Sequence, residues 1–175
     1  VYLYINVMVM QQKFTIEQIH TPQGRQAVDL ILPIQQIEFN VPVTLEAQPD
    51  LLDIDQFYYR DGGSFWGAFL NGELVGTIAL LNCGHQSGAI RKMFVKKEYR
   101  GKEFGIAQAL LDTLFAYCAD HRIHHIYLGT VDALKAAQRF YEKNGFSRID
   151  MNELPDYFPR MPVDHIFYQF HTKED

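Results

Sequence analysis

The sequence predicts an α/β domain of the α+β kind, and two observations carry this prediction. Three strand-like segments follow one another at short intervals in the middle of the chain, joined by turn residues. After them the pattern changes to helix, strand, helix and strand. The length of 175 residues fits one domain, and the sequence contains no internal repeat or linker that would divide it. We therefore expect residues 1–175 to form a single domain.

The N-terminal part begins with an apolar run over residues 1–10 and a strand-like segment over residues 13–19. The run lacks the basic flank and cleavage site of a signal peptide, and it is too short to cross a bilayer as a helix. We interpret residues 1–12 as an extra strand or an N-terminal extension. Residues 23–38 then carry apolar side chains at helical spacing, and Pro33 is expected to kink or split that helix.

The middle of the chain predicts an antiparallel meander. Residues 64–70 and 73–81 are strand-like, and Asn71-Gly72 between them is a strong signal for a hairpin turn. A loop with two glycines leads to a third strand over residues 89–95. Residues 40–56, before the meander, are irregular and contain prolines and acids, so we interpret them as a loop with short helical turns.

The second half of the chain alternates between the two kinds of element. Helices are predicted over residues 105–120 and 133–144, and strands over residues 125–129 and 146–150. A final strand is predicted over residues 164–170.

The composition argues against several classes of function. A net charge of −5 and a pI near 5.8 argue against nucleic acid as a partner, because such partners require a basic face. No segment is long and apolar enough to span a membrane. Cys83 and Cys118 form no disulfide framework, which favours the cytoplasm, and Cys118 falls on the inward face of its helix as a core residue. His121, His124 and His125 lack an acid or thiol that would complete a ligand set, so we expect no metal.

A strand, a basic loop with glycines and the start of a helix follow one another in the centre of the chain. The free amides of the first helical turn and the helix dipole favour an anion in this loop. Gly101 and Gly105 would let a phosphate approach the backbone closely, and Arg100 or Lys102 would add positive charge. The loop has neither the P-loop pattern nor the three-glycine dinucleotide fingerprint. The loop therefore predicts a phosphate-binding site but does not identify the ligand. The alternative is an ordinary basic surface loop.

A second strand–loop–helix unit has small residues along one side of its helix and aromatic residues at its end. Its helix is expected to end at Asn144-Gly145, by the logic of a glycine C-cap. Together, the two units resemble the GCN5-related N-acetyltransferase (GNAT) superfamily over roughly residues 63–170. The motifs that carry the resemblance are Arg100-Gly101 with Gly105-Ile106-Ala107, and Ala137-x-x-Phe140-Tyr141-Glu142-Lys143-x-Gly145-Phe146.

The resemblance implies the GNAT fold, with a central mixed, mostly antiparallel sheet in which two parallel strands splay apart. Acetyl-CoA would lie in that gap, with its pantetheine arm against the strand over residues 89–95 and its pyrophosphate in the loop over residues 100–107. The residues implied to bind it are Met93, Phe94, Val95, Arg100, Gly101, Lys102, Gly105, Ile106, Ala107, Thr130, Ala133, Ala136 and Phe140. The loop is two residues longer than the family pattern, which leaves open whether Arg100 or Lys102 contacts the pyrophosphate.

The resemblance also implies a catalytic role for Tyr141, as the general acid beside the departing thiolate, with a strand amide near Phe94 polarising the carbonyl. The alternative for Tyr141 is a core aromatic residue whose hydroxyl merely finds a partner. The general base is not assigned, because the strand over residues 89–95 has no acid where many family members have a glutamate. The candidates for that role are Glu38, Asp53, Asp55 and His85.

The acceptor is expected to contact the variable segments, residues 38–59, 82–88 and 154–162. Acidic and aromatic side chains in them could hold a cationic amine. The residues singled out are Asp53, Asp55, Tyr58 and Phe158.

The function predicted from these residues is transfer of the acetyl group of acetyl-CoA to a primary amine of a small molecule, an amino acid or a peptide. The alternatives are a non-catalytic acyl-CoA sensor of the same fold and an acetyltransferase of protein N-termini or lysines. A homodimer is a further hypothesis, through exposed edges of the apolar run over residues 1–10 and of the strand over residues 166–170.

Overall fold

The computed structural model describes residues 13–173, which contain a seven-stranded sheet covered by three α-helices. The strands are β1 (Phe14–Gln18), β2 (Ser64–Leu70), β3 (Glu73–Gly84), β4 (Ser87–Val95), β5 (His125–Thr130), β6 (Ser147–Ile149) and β7 (Ile166–His171). The α-helices are α1 (Gly24–Pro33), α2 (Ile106–Asp120) and α3 (Lys135–Lys143). The strand order is β1-β2-β3-β4-β5-β7-β6, and every neighbouring pair is antiparallel except β4 with β5. This arrangement confirms the mixed, mostly antiparallel sheet.

The predicted hairpin joins β2 to β3. Asn71 and Gly72 both have left-handed backbone angles, with φ of 51° and 79°. Two consecutive left-handed residues form the tight turn whose twist matches that of antiparallel strands. The sequence pair Asn-Gly therefore sets the register of these two strands.

The helix predicted over residues 23–38 changes its pitch at Pro33. α1 ends at that residue, and Ile34–Glu38 continues as a π-helical turn in which Phe39 N donates to Ile34 O at 3.1 Å. Proline lacks an N–H group and crowds the preceding turn, so the regular α-helical bonding cannot continue through it. The chain stays helical, and Glu38 is the last residue of this turn.

The sheet has a hydrophobic core on each face. Trp66 and Ala68 of β2 pack with α2 on one face, while Phe65 packs with α1 on the other. This follows from the alternation of side chains along a strand. In α2, Leu110 and Leu114 are fully buried, and each such leucine contributes about 1.5–3 kcal/mol of hydrophobic free energy.

The C-terminal strand corrects the expectation about a dimer. β7 lies between β5 and β6 and pairs with both, so it is an interior strand of the sheet and not an edge strand. The prediction that residues 166–170 pair between subunits through an exposed edge is therefore wrong. The other strand invoked for a dimer, within residues 1–10, lies outside the described residues.

Candidate active site

The two parallel strands separate near the middle of the sheet. β4 and β5 pair from Ser87 opposite His125 to Ala89 opposite Tyr127, and these are their only paired positions among residues 13–173. Beyond this point the strands diverge, so the backbone groups of β4 that face β5 are left for another partner. The predicted splayed pair is confirmed.

A bulge in β4 lies at the start of the gap. Between the pairs Thr77–Phe94 and Ala79–Arg91, β4 has one residue more than β3. Lys92 lies in this bulge, with a left-handed φ of 52°. Because a bulge changes the direction of side chains, Lys92 and the residues beside it can line the gap on both sides.

A first cavity of about 250 Å³ opens between the end of β4 and α3. Its wall comes from β4, from the loop before α2, from α3 and from the end of the α1 helical segment, so the gap joins both faces of the sheet. The lining residues named in the prediction are Met93, Phe94, Val95, Arg100, Gly101, Ala107, Ala136 and Phe140. Of the rest, Thr130 lines the second cavity described below, while Lys102, Gly105, Ile106 and Ala133 line neither.

The loop before α2 depends on its glycines. Gly101 and Gly105 have left-handed φ angles of 111° and 68°, which side chains rarely adopt. Gly105 is also the N-cap of α2, and no side chain caps the helix there. The first-turn amides of this 15-residue helix are therefore open to an anion next to the first cavity.

Arg100, one of the two cations proposed for the pyrophosphate, binds other partners. Its Nη1 and Nη2 donate to Oε2 and Oε1 of Glu38, each at 2.6 Å, and its Nε donates to Val95 O at 2.7 Å. The guanidinium also lies 5.6 Å from the ring centre of Phe39. The bond from Arg100 holds the pKa of Glu38 below its usual range, although burial opposes this.

The other candidate cation, Lys102, lies beside a second lysine. The pKa of Lys143 is lowered because the ammonium of Lys102 is next to it. Two adjacent exposed cations form a place where an anion is favourable. Lys143 comes from the end of α3, so its place beside the loop depends on tertiary structure.

A second cavity, of about 110 Å³, meets the first along β4. The two share Met93, Phe94, Leu134 and Ala137. The second cavity has more charged lining residues than the first. Its polar lining residues are Gln35, Gln48, Arg91, Lys92, Thr130, Tyr141 and Asp164.

Tyr141 stands where the two cavities meet. Its side chain is 5% exposed, and its hydroxyl lies 3.5 Å from Sδ of Met93, which lines both cavities. Burial raises the pKa of Tyr141, and the negative charge of Asp164 raises it further. The phenol therefore stays protonated near neutral pH and can donate a hydrogen bond to a group in the gap.

A sequence model of the acetyltransferase (GNAT) family matches residues 28–146. The chain belongs to the GNAT acetyltransferase family. Among its relatives is N-acetylaspartate synthetase of Danio rerio, 33% identical over 126 residues that cover 69% of this chain and 43% of that protein. The human N-acetylaspartate synthetase is 33% identical over 108 residues, covering 59% of this chain and 34% of that protein. The chain thus spans less than half the length of these relatives.

Solved structures of GNAT proteins have the same fold. An acetyltransferase of the GNAT family from Staphylococcus aureus Mu50 has a TM-score of 0.89 at 38% identity, covering 92% of this chain and all of that one. The PaiA N-acetyltransferase of Thermoplasma acidophilum, solved in complex with coenzyme A, has a TM-score of 0.66 at 16% identity. That alignment covers 91% of this chain and 99% of that one, and it shows the fold alone.

The four residues predicted to contact the acceptor are not brought together in this GNAT domain. Asp55 accepts a bond from His20 at 2.6 Å, and Asp53 lies 3.4 Å from Thr21 Oγ1, both beside the end of β1. Tyr58 is buried, and Phe158 packs in a separate small core. None of the four lines either cavity, so the geometry gives no support to grouping them at the acceptor site.

Tyr58 is nevertheless linked to the second cavity through Asp50 and Lys92. Its hydroxyl donates to Asp50 Oδ2 at 2.6 Å, and that carboxylate lies 3.6 Å from Nζ of Lys92, which also donates to Gln48 Oε1. Burial lowers the pKa of Lys92, while Asp50 opposes that change. This chain of contacts holds a buried cation at the wall of the second cavity.

The predicted base candidates lie outside both cavities or are already paired. Glu38 is held by Arg100, and the His85 ring stacks on Tyr157 at 4.4 Å between centres. In residues 13–173, no group of three histidine, cysteine or acidic side chains could hold a metal, and no helix could cross a membrane. Cys118 is buried, which raises its pKa to about 12 and is consistent with its expected core position.

The prediction missed Arg91, Lys92, Lys143 and Asp164. A local signal existed for Arg91 and Lys92, because two adjacent charges interrupt the pattern of a strand that is otherwise mostly apolar. Lys143 and Asp164 carry no such signal, since each reaches the site only when its element packs against another.

Proposed function

We propose that this GNAT domain transfers the acetyl group of acetyl-CoA to the primary amine of a small acceptor. The observation that carries the proposal is the position of Tyr141 between two joined cavities. A reaction between a thioester and an amine needs a place for each and a proton donor where they meet. The first cavity would receive the donor and the second the acceptor.

The residues around the first cavity fit coenzyme A. Backbone groups of β4 without a strand partner suit an amide-rich pantetheine arm, and small side chains of Ala107, Ala136 and Ala137 leave room for it. The uncapped start of α2 and the Lys102–Lys143 pair suit its phosphates. Acetyl-CoA, when bound, supplies the reactive thioester.

Tyr141 and β4 would carry the transfer itself. An N–H group of β4 near Phe94 would stabilise the negative charge that develops on the carbonyl oxygen. The protonated hydroxyl of Tyr141 would donate to the sulfur as the carbon–sulfur bond breaks. Burial and the charge of Asp164 keep the hydroxyl protonated, so its proton is present when the thiolate forms.

The second cavity favours a small acceptor that carries a carboxylate, such as an amino acid. At about 110 Å³ it is far below the ~300–1,000 Å³ usual for drug-sized ligands. Arg91 and Lys92 at its wall would attract an anionic group next to the amine. The relatives named N-acetylaspartate synthetase support an amino acid acceptor.

The proposal is tested by removing the hydroxyl group of Tyr141, which lies where the two cavities meet. Tyr141→Phe should reduce the acceptor-dependent release of thiol from acetyl-CoA about 10²-fold or more, while changing the affinity for acetyl-CoA little. Tyr127→Phe, which removes a hydroxyl from neighbouring β5 outside both cavities, is the matched control and should keep full activity. Equal activity in Tyr141→Phe and wild type would contradict the proposal. A wild type that binds acetyl-CoA tightly but never releases thiol, across a screen of free amino acids and simple amines, would instead be a non-catalytic sensor.

A further inference from the structure

Transfer to an alkyl amine requires a base, because such an amine is mostly protonated near neutral pH and its ammonium cannot attack a carbonyl. None of the four residues that the sequence offers for this role lines either cavity. Glu38 comes nearest, because it forms an ion pair with Arg100, which lines the first cavity. The second cavity contains one carboxylate, that of Asp164.

The backbone holds Asp164 at the mouth of the gap. It lies just before β7, and its N–H donates to Met161 O at 3.1 Å. The next residue is tied to the splayed strand, since His165 N donates to Thr130 O at 3.1 Å. Asp164 is therefore fixed against the part of β5 that has separated from β4.

The side chain of Asp164 lies on a glycine. A Cβ atom at Gly129 would come within 2.6 Å of Asp164 Oδ2 and 2.9 Å of its Cβ, so any larger residue there would displace it. Gly129 also lines the second cavity. The carboxylate of Asp164 can occupy this position because Gly129 of β5 has no side chain.

The Asp164 carboxylate has no hydrogen-bond donor among the described residues, and none of its atoms is a fully buried atom without a partner. Its oxygens therefore keep some exposure, and the residue lines the second cavity, where a ligand can reach it. A carboxylate with a purely structural role usually accepts bonds from backbone or side-chain donors. Asp164 combines partial burial with a free acceptor surface.

The electrostatic surroundings make Asp164 a stronger base than an exposed aspartate. Burial raises its pKa, and the nearby cations oppose this without cancelling it. The charged and titratable groups that act on it, from β4, α3 and its own loop, are Arg91, Lys92, His165, Arg160 and Tyr141. A carboxylate whose pKa moves towards neutrality is better suited to remove a proton from an ammonium ion.

We infer that Asp164 is the general base that deprotonates the acceptor amine in the second cavity. This inference rests on the proposed function. One ammonium proton passes to the carboxylate, and the amine then attacks the acetyl carbon to form the carbon–nitrogen bond. The carbon–sulfur bond breaks, the thiolate takes a proton from Tyr141, and the phenol recovers one from the nitrogen. The products are the amide, the free thiol and one proton released to solvent from Asp164.

Asp164→Asn tests the inference, with Asp156→Asn, an exposed residue on the same loop, as the matched control. With the best amino acid from the screen, Asp164→Asn should lower kcat/KM about 10²–10⁴-fold. Its residual rate should rise about tenfold per pH unit below the pKa of the amine, because only the neutral amine then reacts. Wild type should instead level off above the pKa of Asp164. Acetyl-CoA affinity should be the same in all three proteins.

Two further readouts separate catalysis from structure. An O-alkyl hydroxylamine is already neutral near pH 7, so Asp164→Asn should acetylate it about as fast as wild type does. Asp164→Asn should also melt at or above the wild-type temperature at pH 7, because the raised pKa stabilises the fold only at lower pH and is a cost once the carboxylate ionises. Gly129→Ala, which must displace the carboxylate, should reproduce the loss of rate with amino acids and the nearly unchanged rate with the hydroxylamine.

The outcomes distinguish this inference from the function on which it rests. An active wild type with an equally active Asp164→Asn would overturn the role of Asp164 alone. The same holds if both acceptor types lose rate equally, since that would indicate a structural defect. A wild type without thiol release on any acceptor would overturn the proposed function, and the base with it.

Discussion

Arg100, which lines the first cavity, and Glu38 form a two-pronged ion pair with both nitrogen–oxygen distances at 2.6 Å. Glu38 ends the π-helical turn after α1, and Arg100 follows the end of β4. The pair therefore joins the helix on one face of the sheet to the loop that precedes α2. Both side chains are partly exposed, at 33% for Arg100 and 23% for Glu38.

Replacing Glu38 should loosen this connection in a pH-dependent way. Glu38→Gln is expected to lower the free energy of unfolding by only about 1 kcal/mol at pH 7, because water screens a partly exposed pair. The lowered pKa of Glu38 means that the stabilisation is present above its ordinary value of 4.5 and is lost as pH falls through the lowered one. Urea unfolding at pH 7 and at the lowest pH where wild type stays folded measures both.

The control for this prediction is Glu17→Gln, an exposed residue of β1. It should change stability little at either pH. If Glu38→Gln and wild type differ as much at the low pH as at pH 7, the ion pair is not the source of the difference.

The Lys102–Lys143 pair should contribute to the binding of the phosphates of acetyl-CoA. Changing both lysines to Gln is expected to weaken the binding of acetyl-CoA roughly fivefold or more. The affinity should also depend less on salt concentration, because exposed charge contacts are screened by salt. Calorimetry with acetyl-CoA and with S-acetylpantetheine, which has no phosphates, separates the contributions.

The phosphate-free donor makes the lysine prediction specific. Its affinity should be the same in wild type and the double variant, and Lys135→Gln, an exposed lysine of α3, should behave as wild type with both ligands. A double variant that binds acetyl-CoA with unchanged affinity and salt dependence would exclude a phosphate contact by these lysines.

Arg91 should set the preference for acceptors with a carboxylate. Hydrogen bonds to charged groups contribute about 1.5–3 kcal/mol, so Arg91→Gln should raise KM for an amino acid about tenfold or more. KM for the corresponding amine without a carboxylate should change little, and kcat should fall less than KM rises. Steady-state rates of thiol release with the two acceptors provide the comparison.

Arg139→Gln, an exposed change on α3, serves as the charge-matched control for Arg91 and should leave both KM values unchanged. If Arg91→Gln raises KM equally for both acceptors, Arg91 supports the shape of the cavity and does not bind the carboxylate.

The elements that depend on neighbouring residues along the chain could be predicted from the amino-acid sequence. The limits of β2 and the turn at Asn71-Gly72 follow from side-chain alternation and from the conformational freedom of glycine and asparagine. α2 follows from its buried face and from the glycine at its start. The motif around Tyr141 identified the family because those residues also lie within one helix and its flanking loop.

Contacts between residues far apart in the chain could not be predicted in this way. Glu38 and Arg100 are 62 positions apart, and Asp164 approaches Tyr141 only because the final strand enters the sheet between β5 and β6. A periodic pattern shows which side of an element is buried but not what covers it, since pairing depends on contacts between remote segments. The second cavity is built almost entirely from such contacts, which is why the sequence did not indicate that Asp164 lies in the same cavity as Arg91 and Lys92.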